Sequence, residues 1–321
     1  MGRSVTPAQA QNATTEYHYA QNPSSMNAFR LLFLLPFLGV FHVATAQQIA
    51  DTAFTYTPQH PKYPTGKGSV VWIDEAHMNF HTLGGRYAPF AKVLQQDGYQ
   101  VGANIQAFDM AGLKSCRILV ISNALDSSNA RNWNLPNPSA FSAGEIEAVN
   151  QWVKNGGRLL LIADHMPFAG AAEALGRSFG IEFLNCFAND NRRRSYERFF
   201  RENGTLLPHP ITQGIDTVVT FTGSAFRIPA DATPLLALKN YTLIMPAVAW
   251  QFEENSACLP SDGYFQGACL PYGKGRVVVM GEAAMFSAQL AGPNRSPVGM
   301  NTPEAGQNAP FLLNILHWLD E

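Results

Sequence analysis

The chain has 321 residues, 46% of them hydrophobic and 14% charged, so it can bury a sizeable core and is not a disordered polymer. Lysine and arginine total 22 against 24 acidic residues, a formal charge of -2. That balance excludes bulk-charge attraction to nucleic acid or to an anionic membrane.

Residues 1–46 read as a leader. Arg30 is followed by the apolar stretch 31–43 and then by Ala44-Thr45-Ala46, the small-x-small pattern of a cleavage site. The stretch is shorter than the roughly 20 residues of a spanning helix, which predicts removal and export, periplasmic or secreted, with no stable membrane anchor afterwards. A signal peptide over 26–46, starting at Met26, is compact, and the polar 1–25 reads as an extension ahead of the true start.

Residues 47–68 carry Pro58, Pro61 and Pro64 without periodicity, an extended lead-in to a single α/β domain over 69–321. Apolar runs at 69–73, 99–103, 117–122, 158–163 and 276–280 predict strands buried on both faces, hence a mostly parallel sheet. Helical spacing at 87–96, 143–154, 168–179, 283–289 and 308–319 predicts helices to cover both faces. Ser142-Ala143-Gly144-Glu145 opens the second helix as a capping box. The irregular insertion 185–214 carries Arg192, Arg193, Arg194 and Arg198 and reads as a solvated charge run, with Glu197 and Glu202 as partners, rather than an anion site. Short pieces at 217–222, 234–238 and 247–252 predict an antiparallel β-rich edge extension. A hairpin over 253–272 would bring Cys258 and Cys269 together, and export makes a disulfide the expectation there. Cys116 and Cys186 flank apolar strands and read as small buried hydrophobes.

Polar chemistry gathers at three strand ends: Asp74, Glu75, His77 and His81 after the first, Asp164 and His165 after the central one, Glu282 after the last. A parallel sheet collects such ends along one edge, where open α/β sheets bind ligands. His77, His81, Asp164 and His165 could ligate a divalent metal such as zinc. Without one, Asp164 or Glu282 could orient His165 or His77 as a general base. Against both, acids at helix starts serve as caps worth about 1 kcal/mol. Neither a nucleophile elbow nor a glycine-rich nucleotide loop is present.

Five motifs in order, V-V-W-I-D-E-A-H at 70–77, W-V-K-N-G-G-R-L-L-L-I-A-D-H at 152–165, H-P-I-T-Q-G-I at 209–215, G-K-G-R-V-V-V-M-G-E at 273–282 and N-A-P-F-L-L-N-I-L-H-W-L at 308–319, resemble the class I glutamine amidotransferase-like superfamily. The likeness is to its secreted bacterial branches of unknown function and, more loosely, to ThuA-like proteins associated with sugar metabolism. It covers about 69–319 and implies a flavodoxin-like fold with its pocket at the strand ends. Those amidotransferases place a nucleophilic cysteine after the central strand. Here the turn is Asp164-His165-Met166, so glutaminase activity is not implied.

Two functions remain open. One is an exported hydrolase of a small or carbohydrate-like substrate, with Asp74, Glu75, His77, Asp164, His165 and Glu282 as its acid-base set. The other is a non-catalytic module binding a ligand or an envelope protein through the same edge, with the arginine-rich insertion as its lid. Catalysis requires those side chains to converge; binding does not.

Overall fold

The structure, a computed structural model, describes residues 48–192 and 196–321. The expected extension 1–25, the whole signal peptide 26–46, Arg193 and Arg194 lie outside the described residues.

Eleven strands form one sheet. In chain order they are β1 (Val70–Asp74), β2 (Gln100–Asn104), β3 (Ile118–Ser122), β4 (Arg158–Ile162), β5 (Glu182–Asp190), β6 (Gly223–Arg227), β7 (Thr233–Ala237), β8 (Tyr241–Met245), β9 (Ala257–Pro260), β10 (Phe265–Tyr272) and β11 (Gly275–Met280). The helices that cover it are α1 (Ala88–Gln96), α2 (Ala143–Lys154), α3 (Phe168–Arg177) and α4 (Asn308–Asp320).

Strands β2, β1, β3, β4 and β11 lie in that order, all parallel. Counted along the chain, this is the doubly wound order 2-1-3-4-5. The apolar runs explain it: every residue of β3 and β4 is buried, as strands covered on both faces must be. One face of these strands, with Ile73, Val120, Leu160 and Val278, meets Phe90 and Leu94 of α1 and Phe311 and Ile315 of α4. The other, with Leu119, Leu161 and Val279, meets Val149 and Trp152 of α2 and Ala172 and Leu175 of α3. Each such fully buried aliphatic side chain stabilises the fold by roughly 2 kcal/mol.

Beyond β11 the sheet continues antiparallel through β10, β6, β5, β8 and β9, with β7 on β10. The antiparallel part is thus a second half of the sheet rather than a fringe. Its strands correct the sequence reading: residues 185–190, expected in the irregular insertion, belong to β5, and Thr217–Thr220, expected in the edge extension, pairs with Glu197–Phe200 in a separate two-stranded sheet. Residues 247–252 are a loop after β8 rather than a strand, and Ala284–Phe286 is a single 3-10 turn followed by the strand Ala288–Ala291. The expected hairpin does not form, because β9 pairs with β8 while β10 pairs with β11. Cys258 and Cys269 are free thiols on strands separated by β8, β5 and β6, so the expected disulfide is ruled out by distance.

The lead-in is tied down. Gln48–Ala50 pairs with Ala288–Ala291, and the Tyr63 hydroxyl donates to Asp320 of α4 at 2.6 Å. In the insertion, Arg192 bonds Asp190 at 3.0 Å and Arg198 reaches Glu304 at 3.9 Å. No helix among the described residues is long and apolar enough to cross a membrane.

Candidate functional site

All five parallel strands end on one edge, and backbone hydrogen bonds lock the turns that follow them. Asn123 N donates to Ile162 O at 3.0 Å, and Ala163 N donates to Met280 O at 3.0 Å. The turns after β3, β4 and β11 therefore open together into a cavity of about 700 Å³. Asp164, His165 and Glu282 line it with His81, Arg86 and Asn123, and its apolar walls include Trp133, Trp250, Phe80 and Phe168.

Asp164 and Glu282 are buried at 6% and 0% exposure. Burial raises the Glu282 carboxyl well above its usual range, and the neighbouring Asp164 charge adds to the rise. Hydrogen bonds from Ala284 N at 2.9 Å and Met285 N at 2.7 Å oppose it without reversing it. Burial also raises Asp164, against the opposing charge of His165 and the His165 N–H bond to Asp164 at 2.7 Å. Two carboxyl groups in one dry site cannot both ionise easily, and the upward shift is the stronger at Glu282.

His165 stacks on Phe187 at 4.4 Å and meets the edge of Trp250 at 4.7 Å. Its Nδ1 lies 2.6 Å from the Met166 carbonyl, to which it donates. In the neutral ring Nε2 then carries the lone pair, and among the described residues it has no protein partner.

The backbone around the cavity is strained. Asn123, Thr222 and Trp250 line it with φ of 50°, 133° and 67°, a region costly for side-chain-bearing residues and concentrated at functional sites. Glycine is required at 223: a Cβ there would lie 2.3 Å from Gly281 O and 3.0 Å from Glu282 Cβ. Its absence lets β6 close against the turn that carries Glu282.

His77 lies elsewhere. Its Nδ1 is 2.8 Å from Asp74 and its Nε2 is 2.8 Å from Glu145, with Phe108 and Phe141 on its faces. Burial opposes a charge on this ring, but the hydrogen bonds and charges of Asp74 and Glu145 outweigh it and raise the His77 pKa. Burial likewise opposes the Glu145 charge, yet bonds from His77, Ser142 and Phe108 bring that carboxyl down to about 2. Both ring nitrogens are occupied, so His77 joins the loop after β1 to the start of α2. Glu75 serves the same loop, accepting from Leu83 N at 2.6 Å.

The predicted constellation therefore divides: Asp164, His165, Glu282 and His81 face the cavity, whereas Asp74, Glu75 and His77 do not line it. The expected metal set of His77, His81, Asp164 and His165 does not assemble. Among the described residues no three His, Cys, Asp or Glu side chains are grouped as a metal ion requires. Sequence reasoning missed Arg86, Trp133 and Trp250, which sit in loops without periodicity. It read Glu145 only as a cap, although one oxygen caps α2 while the other binds His77.

With this geometry in hand, the likeness to solved structures can be placed. The mmIFT52 N-terminal domain superposes with a TM-score of 0.55 at 14% identity, covering 78% of this chain and 97% of that one. Putative ThuA-like proteins from Bacteroides uniformis and Parabacteroides merdae match at 13% identity, with TM-scores of 0.43 and 0.44. Those two matches cover 83% and 79% of this chain, and 94% and 90% of theirs. At such identities the likeness concerns the fold alone. No family model and no curated protein matches the sequence.

Proposed function

We propose that the chain is an exported, flavodoxin-like member of the class I glutamine amidotransferase-like superfamily that hydrolyses a small, carbohydrate-like substrate without a cysteine nucleophile. The five ordered motifs and the 2-1-3-4-5 strand order support the fold assignment. None of the four cysteines lines the cavity. The observation that carries the functional reading is the convergence of Asp164, His165 and Glu282 on a cavity walled by Trp133 and Trp250. Aromatic rings give the apolar faces of a sugar a surface to stack on, while the buried carboxyl groups address its hydroxyls.

In this reading His165 Nε2 removes a proton from the attacking water as the new carbon–oxygen bond forms. Glu282, which holds its proton, passes it to the departing oxygen as the old carbon–oxygen bond breaks, and Asp164 stabilises the imidazolium. The binding module is retained as a second reading for one reason: Asp74, Glu75 and His77 stay outside the cavity, so fewer acid-base groups converge than hydrolysis was expected to use.

A panel of chromogenic glycosides and esters, assayed beside ligand-induced thermal shifts, separates the two. Turnover that falls about 10²-fold or more in His165→Gln, with binding retained, is expected for the hydrolase. Binding without turnover in the wild type leaves the module, and neither binding nor turnover overturns the proposal.

A further inference from the structure

We propose that the ligand of this cavity carries a carboxylate, as a hexuronic acid does, and that Arg86 selects it; the inference rests on the carbohydrate reading of the same site. Arg86 stands in the loop just ahead of α1 and lines the cavity. Its guanidinium lies over the Phe80 ring, 3.9 Å from the centroid, and Nη1 donates to Phe80 O at 3.4 Å. Nε is buried without a partner. Arg117, Arg177, Arg192 and Arg276 each reach a carboxylate; among the described residues Arg86 and Arg158 combine a buried, unpartnered Nε with no carboxylate, and of these two Arg86 lines the cavity. A cation partly removed from water is costly unless an anion answers it.

Two more groups beside the same cavity lack answers. His81 is 2% exposed, and both its ring nitrogens are buried without partners. Burial, with the Arg86 charge second, pushes its pKa down to about 3, so the neutral ring offers one N–H. Asn123 Nδ2 is also buried and unpartnered, while its Oδ1 accepts Asp164 N at 2.9 Å. Guanidinium, amide and imidazole N–H are all donors, so the group they suit is rich in acceptors.

Charge decides which anion. A planar guanidinium matches a carboxylate with two parallel hydrogen bonds. A phosphate monoester brings nearly two charges into a cavity that already holds Asp164, and one guanidinium does not offset both. With the carboxylate at Arg86, the sugar ring is left for the aromatic walls.

The test is calorimetric titration of the whole protein with D-glucuronate, D-glucose and D-glucose 6-phosphate, repeated for Arg86→Gln and Arg86→Lys. Glucuronate is expected to bind about tenfold or more tighter than glucose, the worth of one charge-assisted contact. Arg86→Gln should erase that preference, bringing glucuronate affinity down to that of glucose. Arg86→Lys keeps the charge without the fork and should retain part of the preference, which guards against a folding defect in the first variant. Equal affinity for glucuronate and glucose overturns the inference but leaves the carbohydrate reading standing. Tightest binding of the phosphate overturns it in favour of a phosphate site. Binding of none of the three overturns both.

Discussion

Two acid–histidine–acid groups stand on the same sheet edge and behave oppositely. In Asp74–His77–Glu145 each ring nitrogen meets a carboxylate at 2.8 Å, and opposite charges answer one another. In Asp164–His165–Glu282 the carboxyl groups oppose each other, the ring spends one nitrogen on a backbone carbonyl, and the other has no protein partner. The residue types are the same; only in the first group do both ring nitrogens meet protein partners. A closed set stabilises the chain and has no capacity left for a ligand. An open set costs stability and keeps that capacity, the usual trade at sites that bind or react.

The sharpest way to break this comparison is His77→Ala. It leaves the wholly buried Asp74 without its imidazolium, which costs about 3 kcal/mol, or roughly 10 °C in Tm for a domain of this size. Ligand binding in the cavity should stay unchanged well below the melting point. The clamp also predicts a pH profile. The folded pKa of His77 lies above its ordinary 6.5, so its contribution is complete below that value and is lost as pH rises through the raised one. Glu145 contributes fully above its ordinary 4.5 and loses that contribution as pH falls towards about 2. A His77→Ala protein with wild-type Tm and lost binding would place His77 in the working site instead.

A smaller effect is expected at the open group, through Asp164→Asn. Because Glu282 holds its proton in the folded chain above the 4.5 at which the unfolded chain releases it, stability falls as pH rises through that interval. Removing the Asp164 charge removes the repulsion that helps keep the proton there. The variant should therefore lose less Tm between pH 5 and pH 8 than the wild type, gaining about 1 kcal/mol at the upper end. The His77 contribution is common to both proteins and cancels in the difference. An equal or steeper decline would show that the two carboxyl groups do not oppose each other.

The parallel half of the fold was legible because a strand buried on both faces leaves an unbroken apolar run. That signal marked β1, β3, β4 and β11, and with them the turns holding Asp164, His165 and Glu282. The antiparallel half was harder: its short strands look alike, and nothing local says that β9 pairs backward to β8 instead of forward to β10. That ambiguity produced the expected Cys258–Cys269 bond. The wall residues were illegible for another reason. Trp133 and Trp250 reach the cavity from irregular loops, and residues 247–252 look like a strand precisely because rim aromatics share a strand's composition. Spacing also could not tell His77 from His165, since what separates them is whether Glu145, 68 residues further on, occupies the second nitrogen.

The smallest effect sharpens the closed side. Ser142 Oγ accepts Glu145 N at 3.3 Å and donates to Glu145 Oε2 at 2.7 Å, so the cap that starts α2 also fixes the carboxylate that holds His77. Ser142→Ala should cost about 1 kcal/mol by loss of the cap alone. If capping and clamping are one device, however, the two substitutions cannot be additive, because once His77 is gone the orientation of Glu145 matters less. In a double-mutant cycle the cost of Ser142→Ala should then shrink in the His77→Ala background by about 0.5 kcal/mol or more. Strict additivity would mean that Glu145 does two unrelated jobs, one with each oxygen, and that the closure of this group owes nothing to the helix start beside it.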